Sequence, residues 1–83
     1  MTNEFKIKRD GDVYRWTRTY GDTTWTSRSA WLSDVEAATA AYKVASCYQQ
    51  SILRIDDVLA QAMDVWRQVT RYAATVPMKV VNQ

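Results

Sequence analysis

The side chains that could do chemistry in this chain are few, and their spacing does not assemble a reaction centre. Histidine is absent and Cys47 is the single cysteine. A nucleophile needs a neighbouring base, and neither a Ser-x-x-Lys nor a Gly-x-Ser-x-Gly pattern occurs. Cys47 falls inside an alanine-rich predicted helix rather than at a helix N-terminus, which is where a thiol is activated. We therefore expect a protein without catalytic residues, and not an enzyme.

Metal ligands and phosphate-binding loops are also missing from the pattern. One cysteine and no histidine exclude a zinc site of the usual Cys/His type within one chain. Asp56 and Asp57 are adjacent on a predicted helix and face different directions, and Asp64 lies two turns further along. Gly11 and Gly21 are isolated turn residues. We expect no metal and no cofactor.

Basic and hydroxyl side chains in the first third of the chain point to a binding function. Residues 1–31 carry six basic and four acidic side chains, and residues 32–83 carry five of each, so the net charge of +2 lies in the first third. On a sheet surface such residues can contact phosphates and base edges of DNA, although this charge is small for a DNA-binding domain. Alternation along three predicted strands places on one face Lys6, Lys8, Arg15, Thr17, Thr19, Thr24, Thr26 and Arg28. The candidate contacts to nucleic acid or a protein partner are Lys6, Lys8, Arg15, Thr17, Thr26 and Arg28.

Three short strands joined by two tight turns must position these side chains. Asp10-Gly11 and Gly21-Asp22 are hairpin turn signals, because glycine tolerates a positive φ. The second strand is rich in the Thr, Tyr, Trp and Val that strands prefer. Arg18 falls on the aromatic face by strict alternation, so it must stack on a ring, extend to the surface or lie at an edge. The predicted strands are 5–9, 13–20 and 23–30.

The second half of the chain predicts a helical segment over residues 33–76. Ser33 and Glu36 form a capping box at its start, and no glycine or proline follows until Pro77. Small or apolar residues recur at unbroken spacings of three and four. One long helix is expected; a helical hairpin is the alternative, because Asp56-Asp57 is a second helix start. The apolar stripe consists of Ala38, Ala41, Ala45, Tyr48, Ile52, Ile55, Leu59, Ala62, Trp66, Val69, Ala73 and Val76.

The length of this apolar stripe predicts self-association. A helix of this extent is roughly 60 Å long at ~1.5 Å per residue, whereas a compact domain of this size has a radius of gyration of about 12 Å. Such a helix overhangs its own domain, so a second copy must cover it, and the width of the stripe favours a helical bundle of two or more copies. The expected oligomer interface is Tyr48, Ile52, Ile55, Leu59, Ala62, Trp66, Val69 and Ala73.

Together these elements predict an α+β fold in a single domain over 1–83. A three-stranded antiparallel β-meander over 4–31 is followed by the long α-helix or helical hairpin over 33–76 and a short tail over 77–83. No apolar run approaches the ~20 residues that a membrane span needs, and the first residues do not resemble a signal peptide. The single Cys47 suits a reducing compartment, so we expect a cytoplasmic protein.

Short motifs in the first half resemble the YegP-like family of small bacterial domains. They are Phe5-x-Ile7, Asp10-Gly11, Tyr14-Arg15-Trp16, Gly21-Asp22, Thr26-Ser27 and Ser33-x-x-Glu36-Ala37-Ala38. The resemblance covers roughly residues 4–46 and implies a fold rather than an activity, so it carries over no catalytic residue. The family often has tandem copies, whereas this chain has a single copy before its helical segment.

The helix start is also similar to that of DNA-binding domains that read DNA with a three-stranded sheet, in plant ethylene-response factors and phage integrase arms. The shared pattern is Ser33-x-x-Glu36-Ala37-Ala38 after three strands. This resemblance implies DNA contacts through Arg15, Thr17, Thr26 and Arg28. It leaves the long apolar helix unexplained.

Three functions remain open on these observations. The first is a small non-catalytic, self-associating binding protein of the inhibitor or adaptor type, which acts through protein–protein interaction and which a phage or mobile element could encode. The second is a DNA-binding dimer that uses the outer face of the sheet. The third is a binder of nucleotides or other small ligands, with a stacking pocket, within one chain or between protomers, made of Trp16, Trp25, Trp31 and Arg18.

Overall fold

A mixed five-stranded sheet and two helices make up residues 1–81, the part of the chain that the computed structural model describes. The sheet has the order β3-β2-β1-β4-β5, with β1, β2 and β3 antiparallel and with β4 parallel to both β1 and β5. In chain order the elements are β1 (Asn3–Asp10), β2 (Val13–Tyr20), β3 (Thr23–Thr26), α1 (Asp34–Ala45), β4 (Ser51–Ile55), α2 (Asp57–Thr70) and β5 (Met78–Val80).

The first three strands form the antiparallel meander that the turn residues indicate. Gly11 and Gly21 have φ values of +63° and +61°, the left-handed conformation that glycine adopts without strain. The α+β class and the antiparallel pairing of these strands agree with the sequence prediction. β3 is shorter than predicted because it ends at Thr26.

The prediction of a long helix or helical hairpin over 33–76 is wrong, and so is the prediction of a three-stranded sheet. The chain leaves the helix at Ala45, passes through a left-handed residue at Gln50 (φ +53°) and forms β4, an interior strand between β1 and β5. Ser51, Leu53 and Ile55 are buried while the two residues between them are only half-buried, which is the alternation of a strand.

Both helices begin at capped residues. The Ser33 hydroxyl accepts a hydrogen bond from the Glu36 N–H at 3.1 Å, as the predicted capping box requires of Ser33. Asp56 caps α2 in the same way, accepting from the Leu59 N–H at 2.8 Å. The sequence signal at Asp56-Asp57 therefore marks a real helix start, but a strand rather than a helix precedes it.

The hydrophobic core lies between one face of the sheet and the two helices. Phe5 and Leu53 are paired neighbours on β1 and β4 and are fully buried. Alanines on α1 let this helix approach the sheet closely, and Leu59 and Met63 bring α2 onto the same face. The fully buried alanines of α1 are Ala37, Ala38, Ala41 and Ala45.

The fold divides the predicted apolar stripe among helix, strand and loop. Half of its members are buried within one chain: Ala38, Ala41, Ala45, Ile55, Leu59 and Val76. Ile52, Ala62 and Trp66 are half-buried, whereas Tyr48, Val69 and Ala73 are exposed. The Cα radius of gyration is 11.9 Å, so neither α1 nor α2 overhangs the domain. An overhanging helix therefore no longer provides a reason for self-association.

Buried Tyr42 ties the segment after α2 to the core. Its hydroxyl donates to the Ala74 carbonyl and accepts from the Val76 N–H at 3.0 Å and from Arg67 Nη1 at 3.3 Å. The hydrogen bond to Tyr42 is the main cause that raises the pKa of Arg67. These bonds satisfy backbone groups that have no helix or strand partner.

Candidate functional site

The face of the sheet opposite the helices is polar and accessible to solvent. Alternation along each strand and the pairing register together decide which side chains lie on it. No helix of residues 1–81 covers this face, and none of its side chains is buried. We define the open face as Glu4, Lys6, Lys8, Arg15, Thr17, Thr19, Thr24, Thr26, Ile52, Arg54 and Lys79.

The structure brings together five of the six predicted contact residues. Lys6, Lys8, Arg15, Thr17 and Thr26 are on the open face. Arg28 instead lies in the loop after β3, and its backbone carbonyl accepts a hydrogen bond from Arg15 Nη1 at 2.8 Å.

Three basic residues stand side by side across the centre of the open face. Lys6 on β1 pairs with Arg54 on β4, and Arg54 pairs with Lys79 on β5. Neighbouring strands are about 4.8 Å apart, and like charges directly opposite one another destabilise a sheet. We call Lys6, Arg54 and Lys79 the cation row. Thr17 and Thr26 continue the same line onto β2 and β3.

The sequence did not predict Arg54 or Lys79 on the sheet. Arg54 lies in the segment predicted as a helix over 33–76, and Lys79 lies in the predicted tail over 77–83. The signal that could have revealed Arg54 is the alternation in Ser51–Ile55, where buried residues flank Ile52 and Arg54. Pairing of β4 with β1 and β5 has no local signal, because it joins segments that are distant in the sequence.

Glu4 supplies a carboxylate to the cation row. Arg54 Nη2 donates to Glu4 Oε1 at 2.8 Å. This hydrogen bond is the main cause that lowers the pKa of Glu4, and the positive charges of Arg54, Lys6 and Lys79 lower it further. Arg54 Nε is buried and has no hydrogen-bond partner among the described residues. One carboxylate therefore lies beside three cations, so the centre of the open face has an excess of positive charge.

Arg15 is held by the protein and stabilises a loop. Its Nε bonds to Asp10 Oδ2 at 2.9 Å, and its Nη1 lies 3.1 Å from the Ser27 carbonyl oxygen and 3.3 Å from that of Ser29. These contacts hold the chain after β3 against β2. Lys6, Lys8 and Lys79 are thus the open-face cations that make no ion pair within residues 1–81.

A cleft of about 780 Å³ adjoins the cation row where β4 ends. Lys6 and Arg54 line this cleft, as do Asp34 and Asp57 at the starts of the two helices. β1 pairs with β4 only over 3–6, so its residues 7–10 pair with β2 alone. An unpaired strand edge, which can hydrogen-bond an extended peptide, therefore lies next to the cation row.

The open face is wider than a DNA groove. Five strands span four gaps of about 4.8 Å, or about 19 Å, whereas the major groove of B-DNA is about 12 Å wide. The three-stranded sheet predicted from the sequence lacks β4 and β5 and is therefore narrower than the observed sheet. The whole face is therefore too wide to enter the groove, and it suits a broad partner surface better.

Within one chain, the aromatic residues on the helix side do not form the predicted stacking pocket. The Arg18 guanidinium lies 4.0 Å from the ring centroid of Trp25 and 4.6 Å from that of Tyr48, so Arg18 stacks, as one of its predicted alternatives required. Trp31 pairs with Tyr14, four residues along β2 from Arg18 and about 13 Å away at strand spacing. Trp16 packs against Phe5. Arg18 itself thus occupies the space beside the rings of Trp25 and Tyr48.

The remaining sequence candidates lie apart. Cys47 is exposed in the turn after α1, not inside a helix as predicted. Asp56 is engaged as a helix cap, and Asp64 bonds to Arg67 at 2.7 Å. Within residues 1–81 there is no group of three or more side chains of the kind that hold a metal ion. Over the same residues, neither helix has the length and apolar character to cross a membrane.

The chain matches no protein-family model, no curated protein and no solved structure. The resemblance of residues 4–46 to the YegP-like family therefore stays a prediction. Function must be argued from the geometry of the open face.

Proposed function

We propose that this chain is a small non-catalytic binding protein that docks an acidic partner protein on the open face of its sheet. The observation that supports this most strongly is the cation row, in which Lys6, Arg54 and Lys79 occupy adjacent strands. Such an arrangement is unfavourable in the free protein, because like charges lie opposite one another. An anionic partner surface reduces that repulsion, and this reduction adds to the binding free energy.

The shape and the charge of the open face favour a protein over a DNA groove as the partner. The face is five strands wide, which is broader than the DNA major groove. Of its five basic residues, Arg15 and Arg54 are held in ion pairs with Asp10 and Glu4. A chain with a net charge of +2 lacks the strong positive charge that most nucleic-acid-binding domains carry.

One observation favours nucleic acid as a second candidate partner. Thr17 and Thr26 extend the cation row with hydroxyl groups, and Lys and Thr side chains are common ligands of backbone phosphates. In that function the sheet lies across the phosphate backbone rather than inside a groove. Affinity then falls steeply with salt and shows little dependence on base sequence.

A charge-reversal experiment tests the proposed function. The full chain and its Lys6→Glu/Lys79→Glu variant are immobilised and exposed to a nuclease-treated lysate of the source organism. We expect the parent to capture an acidic protein that dissociates at about 0.5 M salt, where exposed charges are screened within ~4–5 Å. The variant should lose at least about tenfold in affinity, because two cations of the row become anions.

Lys43→Glu is the matched control, because Lys43 is exposed on α1, on the opposite side of the sheet. It should capture the same protein as the parent. Equal capture by Lys6→Glu/Lys79→Glu, or no captured protein at all, would overturn the proposal. Fluorescence anisotropy with a labelled DNA duplex of about 20 base pairs in low salt distinguishes a nucleic-acid partner from a protein partner. Binding of the duplex that the double variant loses would establish nucleic acid instead.

A further inference from the structure

Helix α2 carries an apolar stripe that no other part of residues 1–81 covers. Val58, Val65 and Val69 are 74 %, 60 % and 76 % exposed, and half-buried Ala62 lies between them. Spacings of four, three and four place these residues on one side of the helix. We define Val58, Ala62, Val65 and Val69 as the valine stripe.

The valine stripe is turned away from α1. Met63 lies 3.8 Å from the Thr39 hydroxyl, and Arg67 bonds to Tyr42, so that side of α2 faces α1. At 100° per residue, Val65 lies on nearly the opposite side of the helix from Arg67. Exposed valine is a poor helix former, and a run of exposed apolar residues along one helix indicates a contact surface.

The structure points to a second copy of this chain as the partner of the valine stripe, with the two α2 helices antiparallel about a two-fold axis. A 4-3-4 spacing reads the same in both directions, as a two-fold interface requires of a surface that contacts itself. In this arrangement Val58 lies opposite Val69 of the partner subunit. Ala62 lies opposite Val65 of the partner subunit.

Charges at the two ends of α2 favour the antiparallel orientation. Asp57 lies in its first turn, and exposed Arg71, which makes no ion pair in the described part of the chain, caps its end. The antiparallel arrangement brings Asp57 beside Arg71 of the partner subunit, and it also opposes the helix dipoles favourably. A parallel arrangement instead places like charges together. Asp64, which lies near the two-fold axis of this dimer, is already ion-paired with Arg67 at 2.7 Å.

The interface should be weak and should leave the open face free. Four residues from each copy bury less than the ~1,200 Å² of a stable standard interface, so we expect a dissociation constant in the range of about 10–100 μM. Val58 lines the cleft beside Lys6 and Arg54, but the rest of the open face lies on the other side of the sheet, so a dimer presents two open faces. Simultaneous engagement of both on one partner would raise the overall affinity. The inference goes beyond the proposed function and does not depend on it.

Sedimentation of the full chain over a range from about 5 to 500 μM, which brackets that dissociation constant, tests the inference. We expect a reversible monomer–dimer equilibrium, which Val65→Glu weakens at least about tenfold by burying an unpaired charge. Leu32→Glu is the control, because Leu32 is 81 % exposed but lies outside α2. It should leave the equilibrium unchanged. A parent that stays monomeric at the highest concentration, or a dimer that Val65→Glu leaves intact, overturns the inference.

A charge swap tests the orientation separately. Asp57→Arg and Arg71→Asp should each weaken the dimer about threefold or more, because each places like charges together. The double variant Asp57→Arg/Arg71→Asp should regain most of the parent affinity. Circular dichroism verifies that each variant is folded. Failure of the double variant to recover dimerisation contradicts the antiparallel pairing, and neither result bears on partner capture by the open face.

Discussion

The two faces of the sheet differ in what holds their side chains. On the helix side, Phe5 and Leu53 are fully buried and are fixed by close packing. On the open face, Lys6 and Lys79 extend into solvent, and the row they share with Arg54 contains like charges on adjacent strands. Close packing on the helix side therefore determines stability, whereas the open face has residues that folding does not require.

Substitutions at Phe5 and Lys6, two neighbours on β1 that point to opposite faces, should differ most in their effect on the free energy of unfolding. Phe5→Ala removes a fully buried ring and should lower the free energy of unfolding by about 3–5 kcal/mol. Lys6→Ala should change it by less than about 0.5 kcal/mol. Urea denaturation measures both, with Phe5→Leu as a milder variant if Phe5→Ala does not fold. Similar losses for Phe5→Ala and Lys6→Ala would remove the distinction between the faces.

Tyr42→Phe should have the next largest effect, because it removes a hydroxyl from the helix side while keeping the ring. The buried Val76 N–H and the Ala74 carbonyl then lose their bond to this side chain. We expect the free energy of unfolding to fall by about 1–3 kcal/mol. Tyr72→Phe is the matched control, because the Tyr72 hydroxyl makes one long contact, at 3.3 Å to Ser46 Oγ. A loss for Tyr72→Phe as large as for Tyr42→Phe would contradict the role given to Tyr42.

The smallest expected effect concerns Glu4 on the open face and depends on pH. The folded protein lowers the pKa of Glu4 from its ordinary value of 4.5, mainly through the bond from Arg54. A lowered pKa stabilises the fold above pH 4.5, and this stabilisation disappears as the pH falls through the lowered value. Because Glu4 is only half-buried and solvent screens its ion pair with Arg54, Glu4→Gln should cost less than about 1 kcal/mol at pH 7.

Denaturation of the parent and Glu4→Gln from pH 7 to pH 3 measures this effect. The difference between them should shrink as the solution becomes more acidic. Asp12→Asn is the control, because Asp12 is an exposed turn residue without an ion pair in residues 1–81. A difference for Glu4→Gln that grows toward low pH would contradict the favourable contact between Glu4 and the cation row.

Local signals explain which parts of the fold the sequence predicts. The Asp10-Gly11 and Gly21-Asp22 turns and the alternation beside them predict the meander, because hairpin partners are close in the sequence. The same alternation places Lys6, Lys8, Arg15, Thr17 and Thr26 on one face, where the structure has them.

The parallel half of the sheet has no such signal. Ile52 and Ile55 fit the three- and four-residue spacing of a helix, and they lie between two true helices without a glycine or proline. Pairing of Asn3 with Ser51 joins residues far apart in the sequence, so only tertiary packing decides in favour of the strand. Arg54 and Lys79 join the candidate site through this pairing, which is why sequence reasoning missed them.

The role of the open face is tested most directly by an amide chemical-shift titration of the full chain. A defined probe is poly-L-glutamate of about 20 residues in low salt, where exposed charges are weakly screened. We expect the largest shifts at Lys6, Arg54 and Lys79, and their loss in the Lys6→Glu/Lys79→Glu variant. Shifts concentrated on α1 or around Arg18 and Trp25, or no shifts at all, would contradict the account.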